Sequence, residues 1–130
     1  MAALVEAMFM AEMDTLLLTA GHDLDAVRLP LTLDVARQDE SYVLLRGDAQ
    51  APKAGDMLIR DREGIVSSIV YGPDQRTQIN AKTRNAVFTV YAPEGIRVEA
   101  IEEHLARIQT NVQIITPGAQ VGLLQIYGAA

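Results

Sequence analysis

From Val27 to Tyr91 the apolar residues come only in short runs broken by glycine, proline and aspartate. A chain punctuated in this way builds strands and tight turns rather than long helices. Val27, Leu29, Leu31, Leu33 and Val35 alternate with Arg28, Pro30, Thr32 and Asp34, the period of two that predicts a strand with one buried face. Pro30 cannot donate to a ladder, which places that strand at an edge or a bulge. Tyr42 to Leu45 and Met57 to Ile59 are further short runs, separated by Gly47-Asp48 and by residues 51–56. Asp61-Arg62-Glu63-Gly64 then turns the chain into the run from Ile65 to Tyr71, as a hairpin does. Gly72-Pro73-Asp74 ends that run, and Asn80 is placed to cap a short helical turn near Thr83. Ala86 to Tyr91 combines β-branched and aromatic residues suited to a pleated surface. The spacing predicts a twisted, mostly antiparallel sheet.

Two helices are expected on either side of this stretch. Leu4 to Met13 combines good helix formers with a wide apolar face, and Leu16-Leu17-Leu18 extends the buried character to Gly21. Met8, Met10 and Met13 are read as core fillers rather than a binding groove. After Pro93-Glu94-Gly95, Val98, Ile101, Leu105 and Ile108 recur at helical spacing, leaving Glu99, Glu102, Glu103 and Arg107 for the wet face and His104 among them. Val112 to Ile115 reads as a strand, Pro117-Gly118 as a turn and Val121 to Tyr127 as a last strand. The order predicts one α+β domain over residues 1–130, a layered, mostly antiparallel sheet with two main helices.

Composition removes several chemistries. The chain has 130 residues and no cysteine, so disulfides, thiolate nucleophiles and cysteine-based zinc sites are absent. No basic flank marks a signal or transit peptide, no apolar run reaches bilayer-spanning length, and cytoplasmic residence is the default expectation. Gly118-Ala-Gln-Val-Gly122 lacks the Lys-Ser/Thr ending of a P-loop and the third glycine of a dinucleotide fingerprint, and no cofactor is expected. His22 lies beside Asp23 and Asp25, but a tetrahedral metal site needs more converging ligands, so a capped turn and no metal are expected there. The net charge of −6 argues against a general RNA or DNA coat, whereas Arg76, Lys82 and Arg84 sit in an acid-free stretch that can meet a few phosphates. The same stretch groups Thr77, Thr83 and Asn85 between Tyr71 and Tyr91. Such a stretch is either a polar connection that solvates itself or a set of groups that grip a ligand.

Read from Leu4 to about Tyr127, the chain resembles the B3/B4 domain of the phenylalanyl-tRNA synthetase β subunit, and more closely its free-standing relatives. The residues that carry the resemblance are Gly21-His22-Asp23-Leu24-Asp25 after an apolar helix, Gly55-Asp56 before a strand, Arg60-Asp61-Arg62-Glu63-Gly64, and the block Asp74 to Asn80 followed by Thr83 to Phe88. The resemblance implies a mixed α/β fold and a pocket for an aminoacyl group, because in the synthetase this domain binds the aminoacyl end of tRNA and hydrolyses tyrosine wrongly attached to it. Residue type makes Ser67, Ser68, Tyr71, Arg76, Thr77, Thr83, Asn85 and Thr89 the candidate substrate contacts of such a pocket, and the basic stretch makes Arg76, Lys82 and Arg84 the candidate RNA phosphate contacts. The departures are also specific. Ala20 stands where the synthetase has a histidine, Thr89 where it has a pocket glutamate, and Ser67 to Gly72 replaces its glycine-rich segment with bulkier side chains. No general base stands out, so catalytic residues are unassigned. Free-standing relatives commonly carry further sequence before the first helix, so part of the usual enclosure is expected either to be missing or to be supplied by another subunit. Three functions follow: editing of mischarged tRNA in trans, a binding module for an amino acid or similar metabolite without chemistry, or an assembly module able to form homo-oligomers.

Overall fold

The computed structural model describes residues 2–128. Helix α1 spans Ala3–Thr15, strand β1 Leu18–Asp23, β2 Thr32–Val35, β3 Tyr42–Val43, β4 Ala49–Gln50, β5 Met57–Arg60, β6 Ile65–Ser68, β7 Gly72–Pro73, β8 Ala86–Tyr91, and helix α2 Val98–Ile115. Two helices with antiparallel sheets make this an α+β fold, as the sequence predicts. The chain divides into two compact units, one made of the residues up to Thr19 with those from Val90 onward, the other of Ala20–Thr89. β1 and β8 pair with each other, and the boundary between the units falls within both strands.

In the first unit the two helices pack through small residues. α1 buries Ala7, Met8 and Ala11, and the alanines at i and i+4 let a neighbouring helix approach closely. α2 contributes buried His104 and Ile108. Asn111 Nδ2 donates to the carbonyl of Ala7 at 3.1 Å, and Arg107 pairs with Asp14 at 3.2 Å. His104 is buried rather than wet: its ring nitrogens are hydrogen-bonded to the hydroxyls of Thr15 and Thr19, each at 2.5 Å. Two threonines thus satisfy an imidazole that the glutamates around it in sequence suggested was solvated.

Several expectations for this unit change. Met10 and Met13 are exposed, and of Leu16, Leu17 and Leu18 only Leu17 is buried, because α1 ends at Thr15 with Leu16 in the left-handed conformation (φ 62°). The segment Val112 to Ile115 continues α2 instead of forming a strand. A helix already nucleated adds residues at little cost, whereas a strand there needs a partner to pair with. Val121 to Tyr127 likewise forms no strand among the described residues, and Val121, Leu123, Leu124 and Tyr127 are exposed.

The second unit is built on a four-stranded antiparallel sheet of order β2-β5-β6-β7. The β5–β6 hairpin closes through Asp61-Arg62-Glu63-Gly64 as predicted, with a bulge between Ile59 and Arg60. Tyr42, Leu44, Leu58 and Ile65 form its core with Ala36, and Tyr71 packs against them. Gly72 adopts φ 90°, a conformation glycine reaches without Cβ strain, and its carbonyl accepts the Tyr42 hydroxyl at 2.7 Å. Gly21 on β1 is equally constrained: a Cβ there would stand 2.9 Å from Ile79 Cδ1 and 3.1 Å from the Phe88 ring.

The alternation from Val27 to Val35 misled in one respect. Pairing begins only at Thr32, β2 is an edge strand as Pro30 implied, and Leu29, Leu33 and Val35 are exposed. A period of two says that two faces differ, but not that anything covers the apolar one. Asn80 makes an Asx-type turn instead of capping a helix, its Oδ1 accepting the Lys82 N–H at 2.8 Å.

Candidate functional site

The second unit is organised around the carboxylate of Asp61, whose side chain has no solvent exposure. Its Oδ1 accepts the N–H groups of Glu63 (2.9 Å) and Gly64 (3.2 Å), which shapes the β5–β6 turn, and its Oδ2 accepts the N–H of Arg28 at 2.9 Å. Arg76 closes the arrangement with a two-pronged pair, Nη2 to Oδ1 at 2.8 Å and Nη1 to Oδ2 at 3.0 Å. Burial pushes the Asp61 carboxyl up, but the bonds from Arg76, Arg28 and Glu63 outweigh it and hold it below the ordinary carboxylate range. Arg76 also lies 3.3 Å from Glu63 and 3.9 Å from Asp74, so three carboxylates share one guanidinium. Arg28 stands 3.5 Å from Glu63.

Asp74 begins a second, buried arrangement. Its Oδ1 accepts the Thr77 hydroxyl in a short bond, and Thr77 Oγ1 lies 2.8 Å from Nδ1 of His22. Burial raises the Asp74 carboxyl above its usual range. The alternation of β1 points Ala20 and His22 to its buried side, and His22 has 0% exposure with Nε2 unpartnered among the described residues. Its pKa is lowered to about 4, first by burial and then by Arg76, with Asp61 opposing. The Asp-Leu-Asp turn beside it forms as expected, Asp23 Oδ1 accepting the N–H of Asp25 at 3.0 Å, but His22 itself belongs to the interior. Among the described residues no group of three histidine or acidic side chains converges as a metal site would require.

The polar loop is tied to that same turn. Thr83 Oγ1 donates to Asp23 Oδ2 at 2.9 Å, Asn85 Nδ2 donates to Asp25 at 3.1 Å, and the Asn85 carbonyl accepts the N–H of Leu24 at 2.8 Å. Thr83 and Asn85 therefore anchor the loop on which Lys82 and Arg84 stand. Both basic residues are exposed and neither makes an ion pair among the described residues.

A depression of about 300 Å³ opens on this unit, lined by Ser41, Tyr42, Val43, Glu63, Gly64, Ile65, Asp74, Gln75 and Arg76. Another, of about 290 Å³, is lined by Leu44, Leu45, Arg46, Tyr71 and Pro73. Of the residues expected at a substrate pocket, Arg76 lines the first and Tyr71 the second. Ser67, Ser68 and Thr77 are buried. Ser68 Oγ accepts the N–H of Tyr71 at 3.0 Å and is hydrogen-bonded to the Tyr42 hydroxyl, while Thr89 Oγ1 donates to the Ala20 carbonyl at 3.3 Å. Neither depression is lined by Ser67, Ser68, Thr77 or Thr89. Glu63, Asp74 and Gln75 belong to motifs already visible in the sequence and Tyr42 to a short apolar run, but Ser41 carried no local signal and reaches the depression only through folding.

A protein-family model described as the B3/4 domain matches residues 3–114. Among solved structures the chain is similar to an N-terminal fragment of the phenylalanyl-tRNA synthetase β-subunit from Pyrococcus horikoshii, at 17% identity and a TM-score of 0.62, over 74% of this chain and 33% of that one. The likeness is one of fold, and the chain spans about a third of that structure's length. No curated protein matches.

Two outcomes follow from this geometry. Replacing Arg76 with Ala strands the buried Asp61 charge and is expected to cost about 3–5 kcal/mol in urea unfolding, with Arg76→Lys intermediate because an ammonium cannot supply the two-pronged bond. His22 accounts for the second: its folded pKa lies below its unfolded one, so the unfolded chain takes up the proton first as pH falls from 6.5 toward 4. Stability is complete above that window and falls by up to about 1.4 kcal/mol per pH unit within it. His104, also lowered by burial, acts in the same direction. Unfolding curves across this window are therefore expected to be steeper for the native protein than for His22→Gln.

Proposed function

The chain belongs to the B3/4 domain family, and on that premise we propose that it recognises an aminoacyl group carried on the end of a tRNA. The observation that carries this reading is the charge around the depression lined by Arg76. Glu63, Asp74 and Arg76 line it, Asp61 pairs with Arg76 and Arg28 with Glu63, so carboxylates outnumber guanidiniums three to two around it. An aminoacyl ester presents an ammonium without a carboxylate, and a free amino acid presents both. A lining of this sign favours the ester by attraction to one group and by the absence of repulsion from the other. Lys82 and Arg84, exposed on the anchored loop and without an ion pair among the described residues, are suited to the phosphates of the RNA end.

Hydrolytic editing of mischarged tRNA in trans is the finer form of this proposal. Ester cleavage needs a base or an oriented water and donors for the oxyanion. The hydroxyls of Ser68 and Thr77 are committed inside the unit, which favours recognition without chemistry as the second reading. The 130 residues are proposed to act as one domain, located in the cytoplasm.

Thermal shift with amino-acid methyl esters, set against the corresponding free acids, tests the reading. Esters at about 100 times their Kd are expected to stabilise by about 2.7 kcal/mol. Equal shifts from esters and free acids, or no shift from either, would remove the aminoacyl assignment. On a charged tRNA, Lys82→Ala with Arg84→Ala is expected to flatten the salt dependence of binding by about 0.7 log unit for each lost phosphate contact. An unchanged slope would detach the loop from RNA. Release of the amino acid above the buffer rate separates editing from recognition alone.

A further inference from the structure

The interior of the second unit contains a hydrogen-bonded series that the proposed recognition does not use. Asp74 lines the depression, and Thr77 and His22, the latter on β1, are both fully buried. The polarity of the series follows from counting protons. An ionised carboxylate has only lone pairs to offer, and the Thr77 hydroxyl has one proton, which it donates to Asp74 Oδ1. Thr77 Oγ1 can then only accept from the imidazole nitrogen 2.8 Å away, so that nitrogen, Nδ1, must bear the ring proton. Burial disfavours a doubly protonated ring, which leaves Nε2 as a bare lone pair. Nε2 is the buried ring nitrogen without a partner, as this tautomer requires of an acceptor that nothing has met. Burial raises the Asp74 carboxyl, while the bonds from the Thr77 hydroxyl and N–H and the guanidinium of Arg76, with Nε 3.9 Å from Asp74 Oδ2, favour the ionised form on which the polarity depends.

We propose that Asp74, acting through Thr77, locks His22 as the neutral Nδ1–H tautomer, so that Nε2 is held as a buried hydrogen-bond acceptor whose state is set from the floor of the depression. A neutral imidazole in water favours the opposite, Nε2–H form, so the lock has a direction that can be observed. Thr77 and Asp74 are positioning residues for His22. Any group that reaches Nε2 must donate a hydrogen bond, as a water, a hydroxyl or an ammonium does, and an anion is refused. This inference does not depend on the aminoacyl reading, since it stands on the connectivity of three side chains.

Two-bond ¹⁵N–¹H correlation spectra of protein labelled in its histidines, recorded at neutral pH, test it. The native protein is expected to show His22 as Nδ1–H. Thr77→Val, which keeps the shape and removes the hydroxyl, is expected to convert most of the His22 signal to Nε2–H, and Thr77→Ser is expected to restore Nδ1–H. His104, held by Thr15 and Thr19, should keep its pattern throughout and serves as the internal reference. An Nε2–H pattern for His22 in the native protein overturns the proposal, as does a Thr77→Val protein that remains Nδ1–H. Should Thr77→Val fail to fold, the native tautomer decides alone, because Thr77 is the hydrogen-bond partner of Nδ1 and the bare Nε2 follows from it.

Discussion

A carboxylate removed from water must be answered by charge and by hydrogen bonds, and Asp61 is answered by both. Two N–H groups of its own hairpin, one from Arg28 and two prongs of Arg76 converge on it, so segments distant in sequence are brought to one point. The pair contributes less by its net energy than by what its loss would leave behind, since either partner alone would be a charge without compensation. Specificity follows from that asymmetry. The β5–β6 turn, the segment after β1 and the start of the polar block have one mutual arrangement in which Asp61 is satisfied, and Glu63, Gly64 and Arg76 of that arrangement line the depression.

The motifs that carried the family resemblance turn out to be contacts with one another. Asp23 and Asp25 receive Thr83 and Asn85, Asp61 receives Arg76, and Asp74 receives Thr77. Three acids outside the block, Asp23, Asp25 and Asp61, and one within it, Asp74, thus hold four polar residues of the block that looked like a ligand grip. The chemistry of the residue types was read correctly as binding chemistry, but much of what they bind is the protein itself. The exceptions are Lys82 and Arg84, which the anchored loop presents without partners among the described residues.

Local pattern sufficed where the deciding interactions are local. The Asp61–Gly64 turn, the strand from Ala86 to Tyr91 and the start of α2 at Val98 were legible because turn residues, β-branched runs and helical spacing act within a few positions. It failed where a partner distant in sequence decides. Val112 to Ile115 has strand composition but continues a helix already formed, and His104 is solvated by its sequence neighbours only until Thr15 and Thr19 reach it. Ser67 and Ser68 looked like groups available to a substrate, yet β6 is buried along its length. No periodicity distinguishes a serine facing a ligand from one facing Tyr42.

The loop bearing Lys82 and Arg84 has an effect beyond its immediate reach. In a protein of net charge −6, Lys82 and Arg84 are exposed cations that make no ion pair among the described residues, on a loop tied to the carboxylates of Asp23 and Asp25. Were the partner a polyanion, as the proposed function requires, the overall charge would oppose its approach and this loop would be the point of attraction that orients the encounter. Added salt shortens the distance over which this steering operates, and it should thus slow arrival more than it weakens an encounter already made.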